Sequence, residues 1–315
     1  MLEEDGAGRA GGVAPEPLVV AIFGPTASGK TDVAELVADA LGGEVVSADS
    51  AQVYRGLSIL TNQPARPTRL VGIWPLDHEA AVGEYQRLAH DAINELLAGG
   101  CTPVVAGGSG LYLRAALAEL ELPPAPPAGE RQRWERRYDE LGPDAAHALL
   151  AERDLAAADA VHPNDRRRVV RALELAGAGA SLKPTADRLW AGETRLPTIV
   201  FGLEVPKAAL EARIETRARA MYERGVREEV AHALAAPLST TARQVLGLDE
   251  VGAEGEQALD ALVLRTRQFA AYQRKWMRRI PGLVSVDAER PPDDVAADIL
   301  EVVRARQRLL AGRAG

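Results

Sequence analysis

Short apolar runs alternate along the chain with longer stretches in which apolar residues recur every three or four positions. The first run, Leu18–Phe23, ends at Gly24 and is followed by helical spacing over 29–41. An uninterrupted apolar run of this length predicts a strand buried on both faces, as in a parallel sheet. The same reasoning predicts two further strands, at 44–48 and 102–106, and a helix between them at 84–98. This alternation predicts an α/β fold of three layers.

The pattern changes at the proline-rich segment 122–128, which is typical of a boundary. From 130 to about 176 every segment has helical spacing. Beyond it the spacing predicts, in chain order, a strand at 197–203, long helices at about 206–236 and 256–279, a strand at 283–286 and a final helix at 292–311.

These elements divide the chain into a core and an insertion. We predict one α/β core made of residues 18–118 and 197–315, and a helical insertion at 119–196 that interrupts it. Residues 1–17 are acidic, rich in Gly and Ala and without an apolar centre, so we expect a disordered tail there.

Composition narrows the class of protein. The 315 residues are 47% hydrophobic and 26% charged, as in ordinary globular proteins, and the single cysteine, Cys101, excludes an internal disulfide and a cysteine-based zinc site. No apolar run approaches the ~18 residues of a membrane-spanning helix, so we expect a soluble, cytoplasmic protein without membrane contact. The net charge of −8 disfavours a general nucleic-acid coating protein, but it leaves room for a confined basic groove.

A phosphate-binding motif follows the first predicted strand and opens the first predicted helix. It matches G-x-x-x-x-G-K-[ST] in full and consists of Gly24, Pro25, Thr26, Ala27, Ser28, Gly29, Lys30 and Thr31. Backbone N–H groups and the helix N-terminus bind phosphate oxygens, Lys30 adds a cation and the Thr31 hydroxyl is offered to Mg²⁺. The sequence therefore predicts a P-loop NTPase-like core that binds a pyrophosphate-bearing ligand with Mg²⁺, without specifying ATP hydrolysis.

Two further strand ends are predicted to face the same crevice. Asp49 follows the second strand, and the glycine-rich segment 107–110 follows the third. An Asp at this place suits three roles: it holds Mg²⁺, acts as a general base toward an acceptor, or caps a helix. The four lysines provide no Asn-Lys-x-Asp motif, which argues against a GTPase.

Seven segments in order resemble the tRNA dimethylallyltransferase family, also called isopentenyl-tRNA transferases. They are collinear from about 18 to 290 and lie at 24–31, 47–56, 107–112, 162–174, 213–221, 242–247 and 266–276. The resemblance implies transfer of a dimethylallyl group from dimethylallyl diphosphate to N6 of the adenine next to the tRNA anticodon, position 37, with release of diphosphate. It implies no protein partner.

The resemblance also implies roles for individual residues. Asp49 would be the general base, Ser109 lies where the family usually has Thr, and Arg217 would contact the diphosphate. The positions that would contact tRNA are Asp49, Ser50, Ala51, Gln52, Arg167, Arg168, Arg171, Gln244, Gln273, Arg274, Lys275 and Arg278. The insertion 119–196 is accordingly interpreted as a tRNA-binding unit.

Two arginine-rich stretches support an RNA surface independently of the resemblance. One spans 166–171, and the other, 265–279, contains no acidic residue. Either stretch alone is typical of a solvated helix face, but the pair together with the phosphate motif favours RNA binding. Tyr272 and Trp276 are interleaved with the second stretch and suit stacking on unpaired bases, and the target adenine is expected to leave its stack.

The sequence departs from the family pattern in a few places. Gln63 stands where a lysine is usual, Leu248 where a tyrosine is usual, and the segment 72–78 looks shortened. We expect these changes to affect local tRNA contacts more than the chemistry. A P-loop small-molecule or nucleoside kinase and a non-catalytic RNA-binding protein are the alternative interpretations of the chain.

Overall fold

Five parallel strands form one sheet in the computed structural model, which describes residues 17–122, 129–182, 192–253 and 257–311. The strands, in chain order, are β1 (Val19–Phe23), β2 (Glu44–Ser47), β3 (Pro103–Gly107), β4 (Thr198–Glu204) and β5 (Val284–Asp287). Their order across the sheet is β2-β3-β1-β4-β5, with β1 paired to β3 on one side and to β4 on the other. The parallel α/β sheet predicted from the apolar runs is confirmed, and its central strand is the one that leads into the phosphate motif.

Helices connect the strands and form the insertion. Those of the first half of the core are α1 (Lys30–Leu41), α2 (Val82–Ala98) and α3 (Gly110–Leu117). Four helices follow between β3 and β4: α4 (Glu130–Leu141), α5 (Pro143–Arg153), α6 (Leu155–Asp159) and α7 (Arg166–Gly177). The second half of the core contributes α8 (Lys207–Glu223), α9 (Val226–Ala235), α10 (Leu248–Gly252), α11 (Ala258–Met277) and α12 (Pro292–Ala311).

The structure corrects the helix predicted over about 206–236. It is two helices, α8 and α9, because Gly225 between them has a φ of +87°. A left-handed residue of this kind does not continue an α-helix, although glycine adopts it without strain. The helices predicted over 84–98, 256–279 and 292–311 are confirmed as α2, α11 and α12, within two residues at their ends.

Buried residues fall into two separate clusters, one for the sheet and one for the insertion. All five residues of β1 are buried, and the first cluster extends from them through the helices of both halves of the core. The second cluster lies entirely between Trp134 and Leu173, inside the predicted insertion. Burial of apolar surface stabilises each cluster, so α4–α7 form a packed unit of their own. The predicted tail up to 16 and the segment 123–128 lie outside the described residues.

None of the helices in the described part of the chain combines the length and the apolar composition that a bilayer crossing requires.

Candidate active site

The phosphate motif forms a loop between β1 and α1 whose N–H groups divide into two sets. Thr26 donates its N–H to the side-chain oxygen of Gln273 at 2.7 Å, and Ser28 donates to the Pro25 carbonyl at 3.2 Å. Among the described residues no acceptor faces the other set, which comprises the N–H groups of Ala27, Gly29, Lys30 and Thr31. This second set, at the N-terminus of a 12-residue helix, is suited to bind the oxygens of a phosphate group.

Three charged side chains meet at the edge of the sheet beside this loop. Desolvation lowers the pKa of the Lys30 ammonium to about 8, while the Asp49 carboxylate raises it and the Arg217 guanidinium lowers it further. Burial also lowers the pKa of Arg217, against the opposing effect of Asp49. The structure therefore brings within electrostatic reach three side chains that were selected from the sequence: Lys30 at the start of α1, Asp49 after β2 and Arg217 in α8. Two cations against one carboxylate give the site a net positive charge that suits a polyanionic ligand.

Asp49 follows β2, the edge strand, and Ser109 follows β3, which lies between β2 and the strand of the phosphate loop. One carboxylate oxygen of Asp49 accepts the Ala51 N–H at 2.9 Å, and its other oxygen has no hydrogen-bond partner in the described part of the chain. The Ser109 hydroxyl accepts the Ser50 N–H at 3.1 Å and lies 3.0 Å from the Ser50 hydroxyl. These bonds fasten the segment after β2 to the end of β3, which leaves one face of the Asp49 carboxylate available to a ligand.

Two buried tyrosines line the site beside Asp49, and the sequence analysis did not select them. Tyr85 of α2 donates its hydroxyl to the Ser47 carbonyl at 2.9 Å, and its ring centroid lies 4.3 Å from that of Tyr112 in α3. Burial raises the pKa of both phenols, and the charge of Asp49 raises it further, so both stay neutral. They give the site an apolar wall. The only sequence signal for Tyr85 is its place on the apolar face of α2.

Two glutamines that the resemblance places against tRNA, Gln52 and Gln273, have partners inside the protein. The amide of Gln52 accepts from the Ser47 hydroxyl and donates to the carbonyls of Thr61 and Asn62, all between 3.0 and 3.3 Å. Gln273 is only 2% exposed, and its amide is bonded to backbone groups of the core. In this structure both side chains therefore make internal hydrogen bonds, and the surface at 49–52 is presented chiefly by Ser50.

Gln63, which stands in place of the family's lysine, is also bound internally. Its amide donates to the carbonyls of Gln52 at 3.1 Å and Tyr54 at 2.8 Å. The substitution is thus accommodated by two hydrogen bonds within the loop that follows the Asp49 segment.

The arginine-rich start of α7 is divided between paired and unpaired side chains. Arg166 forms an ion pair with Asp139 at 2.7 Å, and Arg171 forms one with the buried Glu174 at 3.0 Å. Arg167 and Arg168 are exposed and make no ion pair with any described residue. The charge of Arg167 also acts on the pKa of Tyr112, which it lowers against the larger effect of burial. The Arg167 guanidinium is therefore within electrostatic reach of Tyr112.

The second basic stretch covers the outer side of α11. Arg274 is half-buried, Lys275 and Arg278 are exposed, and none of the three forms an ion pair with a described residue. Tyr272 is 56% exposed on the same helix, and its ring meets that of Trp276 edge-on at 6.5 Å between centroids. Unpaired cations beside an exposed aromatic ring form a surface suited to single-stranded nucleic acid.

Metal-binding groups are sparse in the part of the chain that the structure describes. It contains no cluster of three or more His, Cys, Asp or Glu side chains able to hold an ion. The Thr31 side chain is half-buried at the start of α1, and its hydroxyl has no partner among the described residues. This donor set suits an ion that takes most of its ligands from a substrate phosphate and water, as Mg²⁺ does.

Comparison with known proteins agrees with this geometry. The family model described as IPP transferase matches residues 52–280, and the model described as Isopentenyl transferase matches 17–71. The chain is similar to the tRNA dimethylallyltransferase of Streptomyces coelicolor, with 41% identity over 85% of this chain and 89% of the relative. It is 37% identical to that of Corynebacterium jeikeium over 90% of this chain and 96% of the relative.

Similarity extends to solved structures. The crystal structure of the full-length tRNA isopentenylpyrophosphate transferase from Bacillus halodurans superimposes with a TM-score of 0.67 at 28% identity, over 95% of this chain and 99% of that one. The Isopentenyl transferase model covers the phosphate loop and Asp49, and the IPP transferase model covers the two basic helices α7 and α11. The chain therefore belongs to the IPP transferase family.

Proposed function

We propose that this protein transfers a dimethylallyl group from dimethylallyl diphosphate to N6 of the adenine at position 37 of tRNA, next to the anticodon, and releases diphosphate. One observation carries the proposal: the unbonded N–H groups of the phosphate loop, the Lys30 and Arg217 cations and the Asp49 carboxylate converge on one site. That site contains a place for a diphosphate and, beside it, a base for an acceptor. The related chains named tRNA dimethylallyltransferase support this choice of substrates.

The phosphate loop would bind the diphosphate of the donor. The N–H groups of Ala27, Gly29, Lys30 and Thr31 would receive its oxygens, and Lys30 and Arg217 would neutralise charge as it accumulates on the leaving group. We propose that Mg²⁺ is held there by the Thr31 hydroxyl and by the diphosphate itself, where it would neutralise part of the ligand's charge. The ring of Tyr112, which is 7% exposed, would receive the apolar dimethylallyl chain, and Tyr85 would support it from within the core.

Asp49 would accept the proton that the acceptor loses. As N6 of adenine forms a bond to C1 of the donor, the C1–O bond breaks and its electron pair leaves with the diphosphate. The N6 proton passes to the carboxylate oxygen of Asp49 that has no partner in the described part of the chain. The Ser109 hydroxyl, bonded to Ser50, would hold the Asp49 segment at the distance that the transfer needs.

The two basic surfaces would hold the tRNA on either side of this site. Arg167 and Arg168 would bind phosphates beside the tyrosine wall, and Arg274, Lys275 and Arg278 would bind them along α11. The target adenine must leave the stack of the anticodon loop to reach Asp49, and exposed Tyr272 suits stacking on an unpaired neighbour. Because tRNA is the acceptor, we propose that the protein acts in the cytoplasm.

An isotope-transfer assay tests the proposal. The purified protein is incubated with unmodified tRNA, Mg²⁺ and dimethylallyl diphosphate labelled in the prenyl group, and the label should appear in tRNA at adenine 37. A parallel reaction contains γ-labelled ATP and a set of small-molecule acceptors. Unlabelled tRNA together with a phosphorylated small molecule would instead establish a kinase.

A further inference from the structure

A buried glutamine joins the phosphate loop to the neighbouring strand end. Gln273 lies on the inner side of α11 and is 2% exposed. Its side-chain oxygen accepts the Thr26 N–H at 2.7 Å, and its side-chain nitrogen donates to the Gly108 carbonyl at 2.9 Å. One amide therefore connects three segments of the active site that are far apart in sequence: the loop after β1, the loop after β3 and helix α11.

The two partners fix which way the amide must point. A backbone N–H is only a donor and a backbone carbonyl is only an acceptor, so the oxygen of Gln273 faces Thr26 and the nitrogen faces Gly108. A methionine has the length without the hydrogen bonds, and a carboxylate has the acceptor without the donor. The two observed hydrogen bonds therefore require a neutral side chain that both accepts and donates.

Two glycines after β3 pack closely against α11 beside this amide. A Cβ atom at Gly108 would overlap the amide nitrogen of Gln273, and one at Gly110 would overlap the ring of Trp276. Glycine at both positions lets the backbone after β3 lie directly against α11. The inner side of α11 is thus a rigid backing for the loops that hold Ser109 and the phosphate motif.

We propose that Gln273 is a positioning residue for the diphosphate-binding loop rather than a tRNA contact. By holding the Thr26 N–H, it fixes the orientation of the following peptide units, so that the N–H groups of Ala27, Gly29, Lys30 and Thr31 point together into the site. Because Gly108 precedes Ser109, the same amide also sets the distance between the bound diphosphate and the Ser109–Ser50 contact. This inference rests on the proposed function, since it takes diphosphate as the ligand of the loop.

Diphosphate binding by a matched pair of variants tests the inference. Q273M removes both hydrogen bonds at similar length, and Q268M makes the same replacement at an exposed position of α11. With inorganic diphosphate and Mg²⁺ in a calorimeter, we expect Q273M to bind about tenfold more weakly than the wild type and Q268M to be unchanged. Both variants should keep wild-type affinity for tRNA. Equal diphosphate affinity in Q273M and the wild type, or an equal loss of tRNA affinity, would overturn the inference.

A second variant, Q273E, adds the pH dependence of diphosphate affinity, which would not change if Gln273 had a merely structural role. In Q273E the carboxylic acid form accepts from Thr26 and donates to Gly108, whereas the carboxylate places a negative oxygen against the Gly108 carbonyl. Relative to the wild type, Q273E should therefore regain diphosphate affinity as the pH falls, and a constant ratio across pH would contradict the inference. The wild-type transfer assay is independent of these measurements, because a failure to label tRNA would reject the proposed reaction and leave the diphosphate affinities to judge Gln273.

Discussion

The phosphate loop and the outer sides of α7 and α11 hold their cations in opposite ways. Lys30 and Arg217 are desolvated, face the Asp49 carboxylate and have lowered pKa values. Arg167, Arg168 and Arg278 are exposed to solvent and have no ion pair with a described residue. A desolvated cation acts strongly on one fixed ligand, whereas an exposed cation acts weakly and is screened by salt. This difference supports the proposal that the desolvated cations serve the chemistry and the exposed cations serve the attachment of tRNA.

Removing the base should have the largest effect and should leave attachment intact. We expect D49A to reduce the rate of dimethylallyl transfer by a factor on the order of 10² to 10⁴, because the substitution removes the proposed general base. Filter binding should give a tRNA affinity close to that of the wild type. D91N, at an exposed position of α2, is the control and should retain full activity. A parallel loss of tRNA binding and transfer in D49A would make Asp49 a binding residue.

The titration of Lys30 should set the alkaline limit of donor binding. A pKa of about 8 in the free protein means that the ammonium loses its proton as the pH rises through that value. The affinity for dimethylallyl diphosphate should therefore fall above pH 8, measured by calorimetry with Mg²⁺ present. In K30R the guanidinium keeps its charge, so the fall should move to higher pH. Because the ligand titrates identically in both proteins, identical pH profiles would show that another group is responsible.

The exposed cations should change attachment without changing the chemical step. We expect R274A/R278A to weaken tRNA binding and to lower the slope of log K against log salt by about 1.4, for two phosphate contacts on a single strand. R167A/R168A should behave similarly. The rate at saturating tRNA should stay near that of the wild type. R304A/R306A, two exposed arginines of α12, is the matched control. An unchanged salt slope in R274A/R278A would assign α11 to a solvated surface.

The smallest effect is expected at the tyrosine wall. Y85F removes the hydrogen bond to the Ser47 carbonyl and keeps the ring, so it should lower the free energy of unfolding by about 1 kcal/mol. The transfer rate should stay within a few-fold of the wild type, since Tyr85 has no exposed surface and supports the ring of Tyr112 from within the core. Denaturant unfolding measures the first effect and the isotope assay the second. A loss of transfer as large as that of D49A would give the Tyr85 hydroxyl a chemical role.

Much of the core was predictable because its signals are local. The five residues of β1 are all buried, as an uninterrupted apolar run predicts, and the phosphate motif has its meaning only between that strand and α1. Asp49 could be selected because the carboxyl ends of parallel strands share one edge of the sheet. For Lys30, Asp49 and Arg217, sequence reasoning therefore selected residues that the fold does bring together.

Other features depend on packing, which no local pattern encodes. Helix α3 was missed because Gly110–Leu117 is buried on every side, so it lacks the alternation of an amphipathic helix. The break at Gly225 was missed because a single glycine costs a helix only about 1 kcal/mol and does not disturb the spacing. The resemblance places Gln273 against tRNA, and no local pattern predicts its two backbone partners, which are set by tertiary contact alone.

The two sides of α11 separate what evolution is free to alter from what it must keep. On the outer side a substitution changes one attachment point among several, so the preference for particular RNA molecules is able to drift in small steps. On the inner side Gln273 holds the Gly108 carbonyl and Trp276 lies against Gly110, so a larger residue at either glycine would require a change in its partner on α11. Under the proposed function, substitutions on the outer side of α11 would alter the choice of acceptor without disturbing the donor site.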